Sequence, residues 1–79
     1  MNKEKLLIIT MEECGELTRA CSKVLRHKKE DKHLVNLKEE IADVLAMLIL
    51  VQESFNISHD EIVDLIDKRM TKMEGKGYK

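Results

Sequence analysis

The sequence of 79 residues contains no proline and no tryptophan, and its only glycines are Gly15, Gly75 and Gly77. Only Gly15 falls inside a stretch of helical periodicity, so almost nothing in the chain interrupts a helix. Aromatic side chains are limited to Phe55 and Tyr78, which argues against a surface that binds single strands by base stacking. These absences favour an all-α chain.

Neither sign of charge dominates, because 14 Lys and Arg residues oppose 15 Asp and Glu residues. Without a basic excess, we expect no nucleic-acid polymer as a partner. The longest apolar run, residues 44–51, falls far short of the roughly 20 residues that a membrane span needs. No signal peptide is recognisable at the N-terminus. The sequence therefore predicts a soluble, cytoplasmic protein that does not enter a membrane.

The two cysteines, Cys14 and Cys21, lie on one predicted helix. Their spacing separates the Cα atoms by about 10 Å at the helical rise, beyond the roughly 7 Å limit for a disulfide. We expect both to be small buried side chains. Zinc is not expected either, because there is no Cys-x-x-Cys pair.

His27, His33 and His59 fall in connectors or near a helix start, where each is most simply a surface residue.

One domain, residues 1–79, is predicted, with helices over residues 3–26, 36–55 and 58–73. Residues 27–33 form a charged connector. Asn36 with Glu39, and Ser58 with Glu61, resemble capping boxes at the starts of the second and third helices. A turn is expected at residues 56–57, and the last two glycines end the third helix.

Apolar residues recur along each predicted helix at helical spacing. On the first helix they form two neighbouring stripes, which predict a wide buried face: Leu6, Leu17, Ala20, Val24 and Leu7, Met11, Cys14, Cys21, Leu25. On the third, the inward residues are Ile62, Leu65, Ile66, Met70 and Met73. Residues 44–51 are apolar on every side, and three helices cannot cover such a surface. We therefore predict a homodimer or a homotetramer.

Four carboxylates lie on or beside these apolar helix faces. Glu13 lies in the line of Leu6 and Leu17, and Glu16 is one turn further on. Glu40 lies in the line of Val44, and Asp43 lies one turn after Glu40. Acids are rarely buried unless they are paired or bind a metal. Only Glu16 has a local cationic candidate, Arg19, at i+3.

If the two helices pack antiparallel, the four acids converge and repel one another unless a cation lies between them. Oxygen ligands select hard cations, so Mg²⁺ is expected, with Mn²⁺ as the alternative. Magnesium held by carboxylates commonly binds a polyphosphate. The competing interpretation is that these acids belong to solvated helix faces, as Glu12 and Glu39 would.

The segments EECGEL (residues 12–17) and EEIADVLAML (residues 39–48) resemble the signature of the MazG-like all-α nucleoside triphosphate pyrophosphohydrolases. That signature is Glu-Glu-x-x-Glu followed, after a spacer, by Glu-x-x-Asp. The resemblance implies hydrolysis of a nucleoside triphosphate to a monophosphate and pyrophosphate. It also implies helical hairpins from two subunits that pair into a four-helix bundle, in dimers or in tetramers built from two dimers.

The resemblance assigns the metal ligands to Glu13, Glu16, Glu40 and Asp43. Glu12 matches the leading Glu of the signature and is a candidate for positioning or deprotonating water. Four basic residues of the third helix and its end are candidates for holding the phosphates: Lys68, Arg69, Lys72 and Lys76. Alternatively, these cations only complement the negative end of the helix dipole.

Two interpretations from other classes stay open. In the first, the chain is a non-catalytic helical oligomerisation module that binds nucleotide or metal without turnover. In the second, it is a plain dimerisation hairpin, which predicts no metal binding at all. Release of pyrophosphate in the presence of Mg²⁺ discriminates between an enzyme and both alternatives.

Overall fold

Three α-helices make up most of the chain in the computed structural model, which describes residues 1–77. They are α1 (Lys3–Arg26), α2 (Asp31–Ser54) and α3 (His59–Gly75). No strand occurs within the described residues, and the all-α prediction with three helices is confirmed. None of these helices is long and apolar enough to cross a membrane. Tyr78 lies outside the described residues.

Helix α1 has the predicted limits, and local hydrogen bonds close both of its ends. The side-chain oxygen of Asn2 accepts a 2.7 Å hydrogen bond from the Lys5 N–H, which satisfies a free donor of the first turn. At the other end, the backbone N–H of His27 donates to the Lys23 carbonyl oxygen at 2.9 Å. The predicted limits of α1 are correct because the hydrogen bonds that end this helix involve residues close together in the sequence.

Helix α2 begins at Asp31, so the predicted start at Asn36 is wrong. The N-cap is Glu30, whose side chain makes no capping hydrogen bond. No glycine or proline separates residue 31 from Asn36, so nothing stops the helix from extending toward α1. Asn36 consequently lies inside α2, half-buried, and its predicted capping box with Glu39 does not form. The connector shortens to residues 27–30.

The turn between α2 and α3 lies where it was predicted. Asn56 has a φ of 54°, in the left-handed region that asparagine tolerates better than most residues. The Ile57 N–H donates to the Gln52 carbonyl oxygen at 2.9 Å, which is the closing bond of a Schellman motif. Ser58 is the N-cap of α3 as predicted, but its side chain forms no capping hydrogen bond. Helix α3 continues past Met73 to Gly75.

Helices α1 and α2 form an antiparallel hairpin, as their short connection requires. At one end the Lys3 ammonium lies 5.1 Å from the centroid of the Phe55 ring. At the other end the rings of His27 and His33 stack with centroids 4.8 Å apart. Among residues 1–77, the buried side chains all belong to this hairpin: Leu6, Ala20 and Val44.

Only one of the two predicted stripes of α1 packs against α2. The stripe that contains Leu6 and Ala20 is covered, whereas Met11 and Leu25 are exposed. Cys14 and Cys21 belong to the second stripe, and the prediction that they are buried is wrong for the single chain. The reason is geometric: one neighbouring helix covers one stripe, and covering the second stripe requires another helix.

Helix α3 does not supply that cover. Within the described residues it makes no contact with α1 or α2 comparable to the α1–α2 packing. Its predicted inward residues are instead largely solvent-accessible and line an open groove, so their burial is not observed: Ile62, Leu65, Ile66, Met70 and Met73. The radius of gyration is 15.0 Å, against about 12 Å for a compact chain of this length. The single chain is therefore extended.

Candidate acidic metal site

Acidic side chains from both helices of the hairpin meet near its middle. One carboxylate oxygen from each of Glu13, Glu40 and Asp43 lies within 4.8 Å of the other two. Glu13 and Glu40 are half-buried and Asp43 is exposed. As the apolar periodicity predicts, Glu13 lies on the same face of α1 as Leu6, and Glu40 lies on the same face of α2 as Val44. Antiparallel packing of α1 and α2 brings these two faces together.

The carboxylate of Glu40 is the most confined of the three. Its Oε2 atom is buried and, within the described residues, has no hydrogen-bond partner. Partial burial raises the pKa of Glu40 above its usual 4.5, and the nearby charges of Asp43, Glu16, Glu13 and Glu39 raise it further, in that order. An ionised carboxylate in such a place lacks compensation. A proton or a cation would supply it.

Glu16 and Glu12 lie on α1 beside this group without joining it. Glu16 is exposed and forms an ion pair with Arg19, the local partner that the sequence predicts. Its charge still contributes to the raised pKa of Glu40. Glu12 is exposed. Of the five acids predicted to carry the chemistry, the structure thus brings together three.

The donor set fits a hard divalent cation. All three converging ligands are carboxylate oxygens, and such ligands suit Mg²⁺ or Mn²⁺ better than softer metals. The Oε2 atom of Glu40, which has no hydrogen-bond partner in the described part of the chain, has the property expected of a ligand, since a cation would satisfy it. Magnesium retains several of its waters when proteins bind it, so three carboxylates suffice for a first shell completed by water or phosphate.

The sequence matches the family described as the MazG nucleotide pyrophosphohydrolase domain over residues 1–76. The chain belongs to this family. The match extends through all three helices, whereas the resemblance seen in the sequence rests on segments of α1 and α2. Comparisons with curated proteins and with solved structures found no significant match. Membership of the MazG family implies nucleotide pyrophosphohydrolase activity.

The basic residues predicted to hold phosphate lie on α3 of this MazG domain. Lys68, Arg69 and Lys72, together with Thr71, line one open depression. All the lining residues come from α3, so in the single chain this depression is not shared with the acidic group of α1 and α2. Lys76 is the C-cap of α3 and does not belong to the lining. The three cations are thus grouped, but not with the acids.

The structure of this MazG domain contains a second group of side chains able to bind a metal, which the sequence analysis does not predict. Ligand atoms of His27, Glu30 and His33 lie within 4.8 Å of one another at the tip of the hairpin. The prediction that each histidine is a surface residue is wrong for His33, whose side chain is only 16% exposed. The spacing of each histidine, three positions from Glu30, was the available signal. In a connector over residues 27–33, as the sequence predicts, this spacing does not bring the three side chains together.

Proposed function

We propose that this MazG domain hydrolyses a nucleoside triphosphate to the nucleoside monophosphate and pyrophosphate in a reaction that depends on Mg²⁺. One observation carries the proposal: Glu13, Glu40 and Asp43 converge around a carboxylate oxygen that has no hydrogen-bond partner among residues 1–77. In a family of nucleotide pyrophosphohydrolases, the simplest reason for three acids to converge is to bind the cation that accompanies a polyphosphate.

Glu13, Glu40 and Asp43 are proposed to hold Mg²⁺, or Mn²⁺ in its place, with Glu16 as a fourth ligand. A bound cation supplies neutralisation of phosphate charge and lowers the pKa of coordinated water. Glu12 is proposed to orient or deprotonate the attacking water, since it is exposed beside Glu13. The water oxygen would form a bond to the α-phosphorus while its proton passes to Glu12. The bond between the α-phosphorus and the α–β bridging oxygen would break, and its electron pair would leave with pyrophosphate.

Lys68, Arg69 and Lys72 are proposed to bind the phosphates. Their grouping around one depression supports a shared anionic ligand. Three cations placed close together repel one another, and an anion bound between them would offset this electrostatic cost. The alternative, a general complement to the helix dipole, requires no shared depression. Arg69 adds a planar guanidinium that can bind two phosphate oxygens at once.

A homodimer or a homotetramer is proposed as the active assembly. Within α2, Leu45 and Ile49 are each 55% exposed, and the groove of α3 is apolar and open. Large exposed apolar surfaces of this kind usually mark an interface. A second subunit would also bring basic residues of α3 to an acidic group from which they are separated in one chain. The active site would then be composite.

The test is a screen of nucleoside triphosphates with separate detection of pyrophosphate and orthophosphate. We expect at least one substrate to yield pyrophosphate and a monophosphate in the presence of Mg²⁺, and chelation to stop the reaction. Orthophosphate with a nucleoside diphosphate would contradict the proposed position of cleavage. Mg²⁺ or nucleotide binding without any turnover would instead support a binding module.

A further inference from the structure

The tip of the α1–α2 hairpin holds a compact group of three potential metal ligands, away from the family signature. His27 is the C-cap of α1, Glu30 is the N-cap of α2, and His33 lies in the first turn of α2. The Oε2 atom of Glu30 lies 3.5 Å from Nδ1 of His27 and 3.0 Å from Nε2 of His33. A single carboxylate oxygen therefore connects both imidazoles.

These separations resemble those between ligands of one tetrahedral metal ion. Bonds of about 2.0–2.2 Å to zinc place neighbouring ligand atoms about 3.3–3.6 Å apart. The two contacts of Glu30 Oε2 lie close to this range, and the two ring nitrogens lie within 4.8 Å of each other. Small side-chain rotations would bring all three atoms to one ion.

Contacts among its own three residues organise the group. The rings of His27 and His33 stack at an angle of 23°. Backbone hydrogen bonds link the same residues: Glu30 N–H donates to the His27 carbonyl oxygen at 3.0 Å, and His33 N–H donates to the Glu30 carbonyl oxygen at 3.2 Å. A ligand set that is organised in this way loses little conformational entropy when it binds a metal.

The chemistry of this group differs from that of the acidic site. Two imidazoles and one carboxylate suit Zn²⁺ and similar first-row transition metals rather than Mg²⁺. The surrounding charge strengthens this selectivity, because Lys28, Lys29 and Lys32 outnumber Glu30 and Asp31 within residues 27–33. A cation attracted by charge alone is not favoured there, whereas a metal that bonds to neutral imidazole is.

We propose that His27, Glu30 and His33 form a binding site for Zn²⁺ or a chemically similar transition-metal ion, which ties the end of α1 to the start of α2. Three protein ligands leave one position of a tetrahedral ion to solvent. The site is independent of the proposed hydrolase reaction, since none of its residues belongs to the acidic group. Its effect is to stabilise the hairpin that carries that group.

The experiment is a titration of the full-length protein with Zn²⁺ in competition with a chromophoric chelator. Excess Mg²⁺ is present throughout to compete at the acidic site. We expect one Zn²⁺ per chain at this site, and at least a 10-fold loss of affinity in His27→Ala and in His33→Ala. His59→Ala is the matched control, because it removes a histidine outside the group, and it should bind Zn²⁺ like the wild type.

Two further measurements guard against trivial loss of binding. Glu30→Gln keeps both imidazoles and the side-chain length, and we expect it to bind Zn²⁺ about 10-fold more weakly while circular dichroism shows an unchanged helix content. Substitution by Co²⁺ should give the absorption of a tetrahedral ion in the wild type and in His59→Ala, whereas His27→Ala and His33→Ala should lose it. Equal Zn²⁺ affinity in the wild type and in the folded His27→Ala and His33→Ala variants would overturn the proposal.

Discussion

Glu13 of α1 and Glu40 of α2 present carboxylate oxygens within 4.8 Å of each other across the hairpin. Each glutamate occupies a position of its helix that the apolar periodicity assigns to the packed face, and both are half-buried. Asp43 adds a third carboxylate to the pair. Two helices that meet through like charges lose stability at that point, so the arrangement makes physical sense when a cation binds there.

Replacing Glu40 with Gln should remove activity. The substitution preserves shape but takes away one anionic ligand, and we expect kcat/KM for pyrophosphate release to fall at least about 100-fold, since even outer-shell partners of metals cost 10–100-fold. Glu39→Gln is the matched control, because it removes a neighbouring exposed charge and should change the rate only a few-fold. An active Glu40→Gln enzyme would show that this carboxylate is not a ligand.

The same substitution should not weaken the metal-free protein. With chelator present, the Tm of Glu40→Gln should equal or exceed that of the wild type, because one of several repelling charges is gone. Addition of Mg²⁺ should raise the Tm of the wild type and have much less effect on the variant. A variant that melts far below the wild type in chelator would mean that Glu40 serves the fold through a buried pair.

The stability of the metal-free protein should depend on pH in a way that identifies Glu40. Its pKa in the folded chain is raised above 4.5, so the folded state takes up this proton before the unfolded state does. As the pH falls from neutral toward 4.5, the wild type should gain stability relative to Glu40→Gln. Urea unfolding of both proteins in chelator measures this difference, and a gap that stays constant with pH would contradict the assignment.

Gly15 lies inside α1 between the acids, and a Cβ atom built there meets nothing within 4 Å. Glycine in a helix interior is less stable than alanine by roughly 0.5–1 kcal/mol. We therefore expect Gly15→Ala to raise the free energy of unfolding by about that amount, measured by denaturant titration. A loss of stability would instead show that another subunit packs against this part of α1.

The apolar side of α2 should mediate assembly. Wild type at micromolar concentration should elute as a dimer or a tetramer, as measured by light scattering after size exclusion. Ile49 is 55% exposed in the single chain, and Ile49→Glu should shift the protein toward the monomer and lower its activity, because the site is proposed to be composite. Lys38→Glu, a charge reversal on an exposed position of α2, serves as the control. A monodisperse wild-type monomer would contradict both expectations.

Local sequence determined the helical content, the limits of α1 and the turn at Asn56. Absence of proline, apolar spacing and capping residues act within a few positions, and such signals predict elements without reference to the rest of the chain. Local sequence also determined which helix faces carry Glu13 and Glu40, because the helical repeat assigns each residue to a face. The family signature is likewise readable from the order of the acids.

Only the tertiary structure decided which of these faces meet. Helix α2 starts at Asp31, and the resulting short connector places His33 against His27 and Glu30. Packing of α1 against a single neighbour covered one apolar stripe and left Cys14 and Cys21 exposed. Asp43 lies in one group with Glu13 and Glu40. Glu16 lies outside this group and forms an ion pair with Arg19. Periodicity states which residues share a face, whereas the separation between faces depends on contacts distant in sequence.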